Sequence, residues 1–100
     1  MPTLYQYLGL IFSFYSHDHV PVHIHAKYGN YENKLEFYYA NGVVKGVLVK
    51  SVPKRQPLPP AILREAKRFA LAKEADIVYK WANFYVRHQK PTIERITKRI

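Results

Sequence analysis

Four of the chain's five histidines fall within Ser16-His17-Asp18-His19-Val20-Pro21-Val22-His23-Ile24-His25. Imidazole is the side chain best suited to move a proton near neutral pH or to ligate a transition metal. Residues 22–28 alternate as a strand does, with Val22, Ile24, Ala26 and Tyr28 on one side and His23, His25 and Lys27 on the other. Two imidazoles two positions apart on a strand leave the same face about 6–7 Å apart. That spacing suits two ligands converging on one ion, with bonds of about 2.0–2.1 Å. His19, or His17, in the loop before Pro21 is the candidate third ligand. A histidine set without cysteine suits zinc, nickel or iron.

The same residues support a second chemistry. His23 and His25 could serve as general acid and base on a phosphodiester, with Glu36 orienting one imidazole and Lys34 or Lys45 neutralising phosphate charge. Tyr28 and Tyr38 could offer a stacking surface. The plain alternative is a polar strand face without chemistry. The density of the cluster, with His17, Asp18, His19 and a rigid Pro21 beside the strand pair, argues against it. No phosphate-cradling glycine loop, nucleophile elbow or Walker sequence is present, which speaks against ATP-driven chemistry and serine hydrolysis.

Two turn signals fix where these side chains stand. Gly29-Asn30 suits a two-residue type II′ hairpin, and Asn41-Gly42 is a strong type I′ signal, so the strand over 22–28 continues into a meander. The first turn pairs His23 with Glu36, Ile24 with Leu35, His25 with Lys34, Lys27 with Glu32 and Val22 with Phe37. The second, read the same way, places Tyr39 beside Val44, Phe37 beside Gly46 and Leu35 beside Leu48. One face then collects Val22, Ile24, Leu35, Phe37, Tyr39, Val44 and Leu48. The other collects His23, His25, Lys27, Glu32, Lys34, Glu36, Tyr38 and Lys45. Upstream, residues 8–15 read as one aromatic-rich strand covered on both sides.

A proline-rich stretch, Pro53 to Pro60, separates this region from one of helical period. Pro59-Pro60 opens it where a first helical turn tolerates proline. Ile62, Leu63, Ala66, Phe69 and Ala70 form one apolar stripe, and Ile77, Val78, Trp81, Phe84 and Tyr85 form another. These stripes should cover the apolar sheet face, as one kinked helix or as two that break between Lys73 and Asp76. From Pro91 onward the chain reads as a short helix or an added strand.

The expectation is therefore an α+β fold in one domain over 1–100: an N-terminal antiparallel β-meander of about four strands (1–50), a proline-rich linker (51–60), a helical part of one or two helices packed on one sheet face (61–90), and a basic C-terminal segment (91–100). A chain of this length supports one core. With no cysteine it relies on packing alone, which fits the cytoplasm. No secretory signal is evident, and no apolar run approaches the roughly 20 residues a membrane span needs.

The net charge is +9, unevenly placed. Residues 1–44 carry two basic and three acidic side chains, for −1; residues 45–100 carry fourteen and four, for +10. An anionic partner such as RNA or DNA is the natural inference, with Arg87, Lys90, Arg95, Lys98 and Arg99 as a dense basic end and Lys34 and Lys45 nearer the histidines.

Met1-Pro2-Thr3, an aromatic strand, Asp18-His19 followed by Pro21 and the His23-x-His25 pair, a Gly29 hairpin, and Leu58-Pro59 opening helices with Trp81 in the second together resemble a small bacterial family, domain of unknown function 4160. The resemblance spans about residues 1 to 86, and its most specific part is the acid-His-x-Pro-x-His-x-His segment. This chain departs from it with Val20-Pro21-Val22 where Asn-Pro-Pro is usual, with a longer, more basic segment over 47–57, and with a more cationic end. Members are often encoded beside another small protein, of family 2442, in arrangements like toxin–antitoxin pairs. The resemblance thus implies a small antitoxin-like partner and a toxin-like role.

Together these readings point to a component of toxin–antitoxin type that binds or cleaves nucleic acid through His23, His25 and Glu36, backed by the basic half. The alternative is a non-catalytic module in which His19, His23 and His25 hold one divalent transition metal, or in which the histidines meet a protein partner or a second copy of the chain.

Overall fold

The computed structural model describes residues 3–14 and 22–100. The chain forms β1 (Thr3–Tyr7), β2 (Leu10–Ser13), β3 (His23–Tyr28), β4 (Tyr31–Ala40), β5 (Val43–Ser51), α1 (Pro60–Ala72), α2 (Glu74–Tyr85) and β6 (Glu94–Ile96). The strands make one sheet in the order β5-β4-β3-β2-β1-β6, antiparallel except where β6 runs parallel to β1. The α+β arrangement stands as expected, but with six strands among the described residues in place of about four.

Both extra strands have a local cause. The strand expected over 8–15 opens instead with a two-residue turn, Leu8-Gly9, in which both residues take positive φ (49° and 88°), so Thr3–Tyr7 ahead of it forms β1 and pairs with β2 as a hairpin. A Cβ at Gly9 would lie 2.9 Å from the Tyr28 ring. Glycine is thus required there by space as well as by backbone. The segment after Pro91 supplies the short β6, which takes its place beside β1.

The β3–β4 register is the one the Gly29 turn implies, from His23 opposite Glu36 to Lys27 opposite Glu32, and the Phe37 amide reaches the Val22 carbonyl at 3.1 Å. The β4–β5 register begins as expected, with Tyr39 opposite Val44, then slips by one residue at a bulge, placing Tyr38 opposite Gly46, Phe37 opposite Val47 and Leu35 opposite Val49. The expected Phe37–Gly46 and Leu35–Leu48 pairs are therefore replaced. One physical reason is steric: a Cβ at Gly46 would stand 2.7 Å from the Tyr38 hydroxyl, so the residue without a side chain lies against the tyrosine. A one-residue slip inverts every later side chain. Val47 enters the core, Leu48 moves to the histidine side and is exposed, and Lys45 falls in the bulge itself.

The helices cover the other face. Phe69 of α1 is fully buried, stacked on Tyr7 (4.3 Å between ring centroids) and Phe12 (4.7 Å), with Tyr5 edge-on at 5.2 Å. Phe14 meets Phe84 and Tyr85 of α2. Ile24, Ala26, Leu35, Phe37 and Val47 complete this layer from the sheet. Pro60 begins α1, and the break before α2 falls at Lys73. The proline-rich segment folds back along the start of β4: Glu32 donates its amide to the Gln56 carbonyl at 2.9 Å, and the buried Asn33 side chain accepts from the Leu58 amide at 2.9 Å. No helix among the described residues is long and apolar enough to cross a membrane.

Candidate functional site

His23 and His25 stand side by side on β3, on the sheet face opposite the helices, their rings 5.6 Å apart and nearly perpendicular. The sequence implies a solvated strand face there. Instead both are buried, at 1% and 5% exposure, as is Glu32 at 2%. His25 Nδ1 lies 3.0 Å from Glu32 Oε2. The other Glu32 oxygen lies 3.3 Å from Arg55 Nε, and Arg55 also donates to the Gly29 carbonyl at 3.2 Å. The hairpin turn, the strand pair and the folded-back linker thus converge on one carboxylate.

Burial pushes the His25 pKa below its ordinary value, and the Glu32 hydrogen bond recovers only part of that. His25 is accordingly neutral at pH 7. With Glu32 as acceptor, the assigned tautomer carries its proton on Nδ1 and its lone pair on Nε2. Such a ring can take a proton or bind a metal through Nε2, while the carboxylate fixes its orientation.

Glu36 does stand opposite His23 in the ladder, but its carboxylate pairs with Lys34 Nζ at 3.2 Å. The carboxylate on a histidine is Glu32, which sequence reasoning placed on the correct face yet assigned to Lys27. Diagonal neighbours across an antiparallel pair lie within reach of long side chains. Weighing the diagonal of His25 as well as its direct partner would have found Glu32. Ser13 was also missed: it is the direct cross-strand partner of His25 on β2, is 2% exposed, and its hydroxyl makes no hydrogen bond among the described residues.

His17 and His19 lie outside the described residues. Among the described residues no group of three or more His, Asp or Glu side chains is placed to share a metal ion. His23 and His25 are the described members of the expected ligand set.

The basic residues are spread out. Lys45 belongs to one edge strand and Arg95 to the other, five strand spacings or about 24 Å apart. Arg87 and Lys90 follow the C-terminal end of α2 and are exposed, as is Lys98. Arg95 donates to the Gln6 side chain at 3.0 Å, and Arg99 lies 3.3 Å from Glu65. The structure therefore does not gather these cations into one patch around the histidines; among the described residues, Lys34 and Arg55 form ion pairs there, with Glu36 and Glu32.

No curated protein and no solved structure matches the chain. A family profile does, over residues 9–82, a span that takes in the β2–β5 strands, the histidine pair and most of both helices. The chain belongs to that family, Domain of unknown function (DUF4160).

Proposed function

We propose that the protein binds or cleaves nucleic acid, as one component of a toxin–antitoxin-type pair acting in the cytoplasm, with His25 as its proton-transfer group. The observation that carries this reading is the His25–Glu32 contact at 3.0 Å. A carboxylate on Nδ1 holds the ring in the tautomer in which Nε2 accepts a proton, the arrangement a general base needs. His23 beside it is the partner acid, and Lys34 and Arg55 supply positive charge for a phosphate. On RNA, His25 would take the proton of a 2′-hydroxyl as that oxygen attacks phosphorus, and a protonated imidazole would return a proton to the departing 5′-oxygen. The dispersed cations Lys45, Arg87, Lys90, Arg95, Lys98 and Arg99 would supply the salt-sensitive part of binding.

Purified protein is expected to bind single-stranded RNA or DNA less tightly as salt rises. RNA cleavage should drop at least about a hundredfold in His25→Ala, the usual size of an acid–base contribution. Induced expression should arrest growth with the native chain and not with the His23→Ala, His25→Ala double variant. Protein that neither binds nor cleaves either nucleic acid sinks the proposal.

The same contact favours a second reading. Metal-bound histidines commonly donate their other ring N–H to a carboxylate, as His25 is poised to do to Glu32. In that reading His23 and His25, with His19, hold one zinc, nickel or iron ion or meet a protein partner, without catalysis. Elemental analysis of untagged protein decides: one metal per chain, lost in the double variant, supports this reading, and metal-free protein removes its main form.

A further inference from the structure

We infer that β5 is a docking edge for an extended, acidic segment of a partner protein, which would add a seventh strand to the sheet. Among the described residues no strand pairs with the outer side of β5, which at nine residues is three times as long as β6 at the opposite edge. Native sheets usually blunt an open edge by keeping it short, charging it or bulging it. β6 is short. In β5 the bulge lies near its beginning, leaving residues 46–51 as a regular ladder whose outer side is open.

Side chains along that stretch are dressed for a neighbour. Leu48 is 47% exposed and Val49 37% exposed, and because successive residues point to opposite faces, apolar surface is open on both sides of the same edge. Tyr38 on β4, 44% exposed, extends the patch on the Leu48 side. A strand added beside β5 would cover these groups with its alternate side chains while its backbone meets the edge, the usual mode of strand addition.

Charge selects the occupant. β5 carries Lys45 and Lys50 and no acidic residue, and Lys54 follows. A second copy joined edge to edge through β5 would bring more lysines to that edge and no carboxylate of its own β5 to meet them. Glutamate or aspartate on the incoming strand would meet the same lysines favourably. Leu48 and Tyr38 share the sheet face of the histidines, but docking at this edge requires no chemistry from His23 or His25.

The test uses the full chain and two short alternating Val/Thr peptides, one with two glutamates and one with two lysines in their place, read by amide hydrogen exchange at residues 46–51. The glutamate peptide is expected to slow exchange there, in the native chain and equally in His25→Ala. The exposed double variant Lys45→Glu, Lys50→Glu should bind it at least about fivefold more weakly and prefer the lysine peptide. Three results would overturn the inference: unchanged exchange with both peptides at millimolar concentration, equal protection by both, or protection that appears without peptide as protein concentration rises, which would place a second copy on the edge.

Discussion

On the helix-covered face, tyrosine hydroxyls reach from the aromatic layer to carboxylates at its rim: Tyr5 to Asp76, Tyr7 to Glu65 at 2.6 Å and Tyr39 to Glu74 at 2.7 Å. Cations complete two of these pairs, with Arg68 2.6 Å from Glu65 and Lys80 2.6 Å from Asp76. On the opposite face the carboxylate is inside. The Glu32 side chain is 3% exposed and is shared between His25 and Arg55. A rim carboxylate can fall back on water if its partner is lost; a buried one needs its partners. Replacing buried ionic groups by apolar ones is often neutral or stabilising. Stability alone therefore gives little reason for a Ser, His, His and Glu in the middle of a sheet, and that is why the candidate site is placed there rather than among the more numerous charges around the helices.

Phe69→Ala should have the largest effect, because it removes the ring on which Tyr5, Tyr7 and Phe12 converge. A loss of about 3–5 kcal/mol is expected in urea unfolding, enough to consume much of the stability of a small domain. Glu32→Ala comes next, at about 2–3 kcal/mol, since it leaves the buried His25 N–H without its acceptor and Arg55 without its counter-charge. Glu65→Ala should cost distinctly less in the same assay. If the two glutamate variants prove equal, the contrast between an inner and a rim carboxylate is wrong.

The pairing of His23 with Glu36 and of His25 with Lys34 was readable because Gly29-Asn30 admits few loop geometries and a slip would have mixed polar and apolar faces. The break at Lys73 was bracketed by the two apolar stripes. What escaped had physical causes that local pattern does not carry. Leu8 adopts a left-handed backbone inside an apolar run, a conformation uncommon for a residue with a Cβ. The β5 bulge depends on Tyr38 standing against Gly46, a tertiary contact. Glu32 lay one diagonal away from the residue it serves, and the burial of the histidine face depends on groups outside the strand, Arg55 of the folded-back linker among them.

The two faces should also lose stability in different pH windows. His25 has a folded pKa below its usual 6.5, so the unfolded chain takes up the proton first, and stability is expected to fall as pH drops below about 6.5 toward the folded value. Arg68 and the Tyr7 hydroxyl hold Glu65 at about 2, so its contribution is present above 4.5 and is lost only as pH falls toward 2. Thermal melts across this range should show the upper step shrink in His25→Gln and persist in Glu65→Gln. An upper step unchanged in His25→Gln would mean that another group titrates there.

The smallest change should run the other way. Ser13 lies across the ladder from His25 with a buried hydroxyl that makes no hydrogen bond among the described residues. A polar group kept from water without a partner is a cost, and replacing it with an apolar group of similar shape relieves that cost. Ser13→Ala is therefore expected to raise stability by about 0.5–1 kcal/mol, after a small loss in strand propensity. If it does so while nucleic-acid cleavage or metal content falls, the hydroxyl is retained for what it does beside His25, a trade of stability for activity. A stabilised variant with every other property intact would make Ser13 an ordinary flaw in the sheet and confine the site to the three residues that touch: His23, His25 and Glu32.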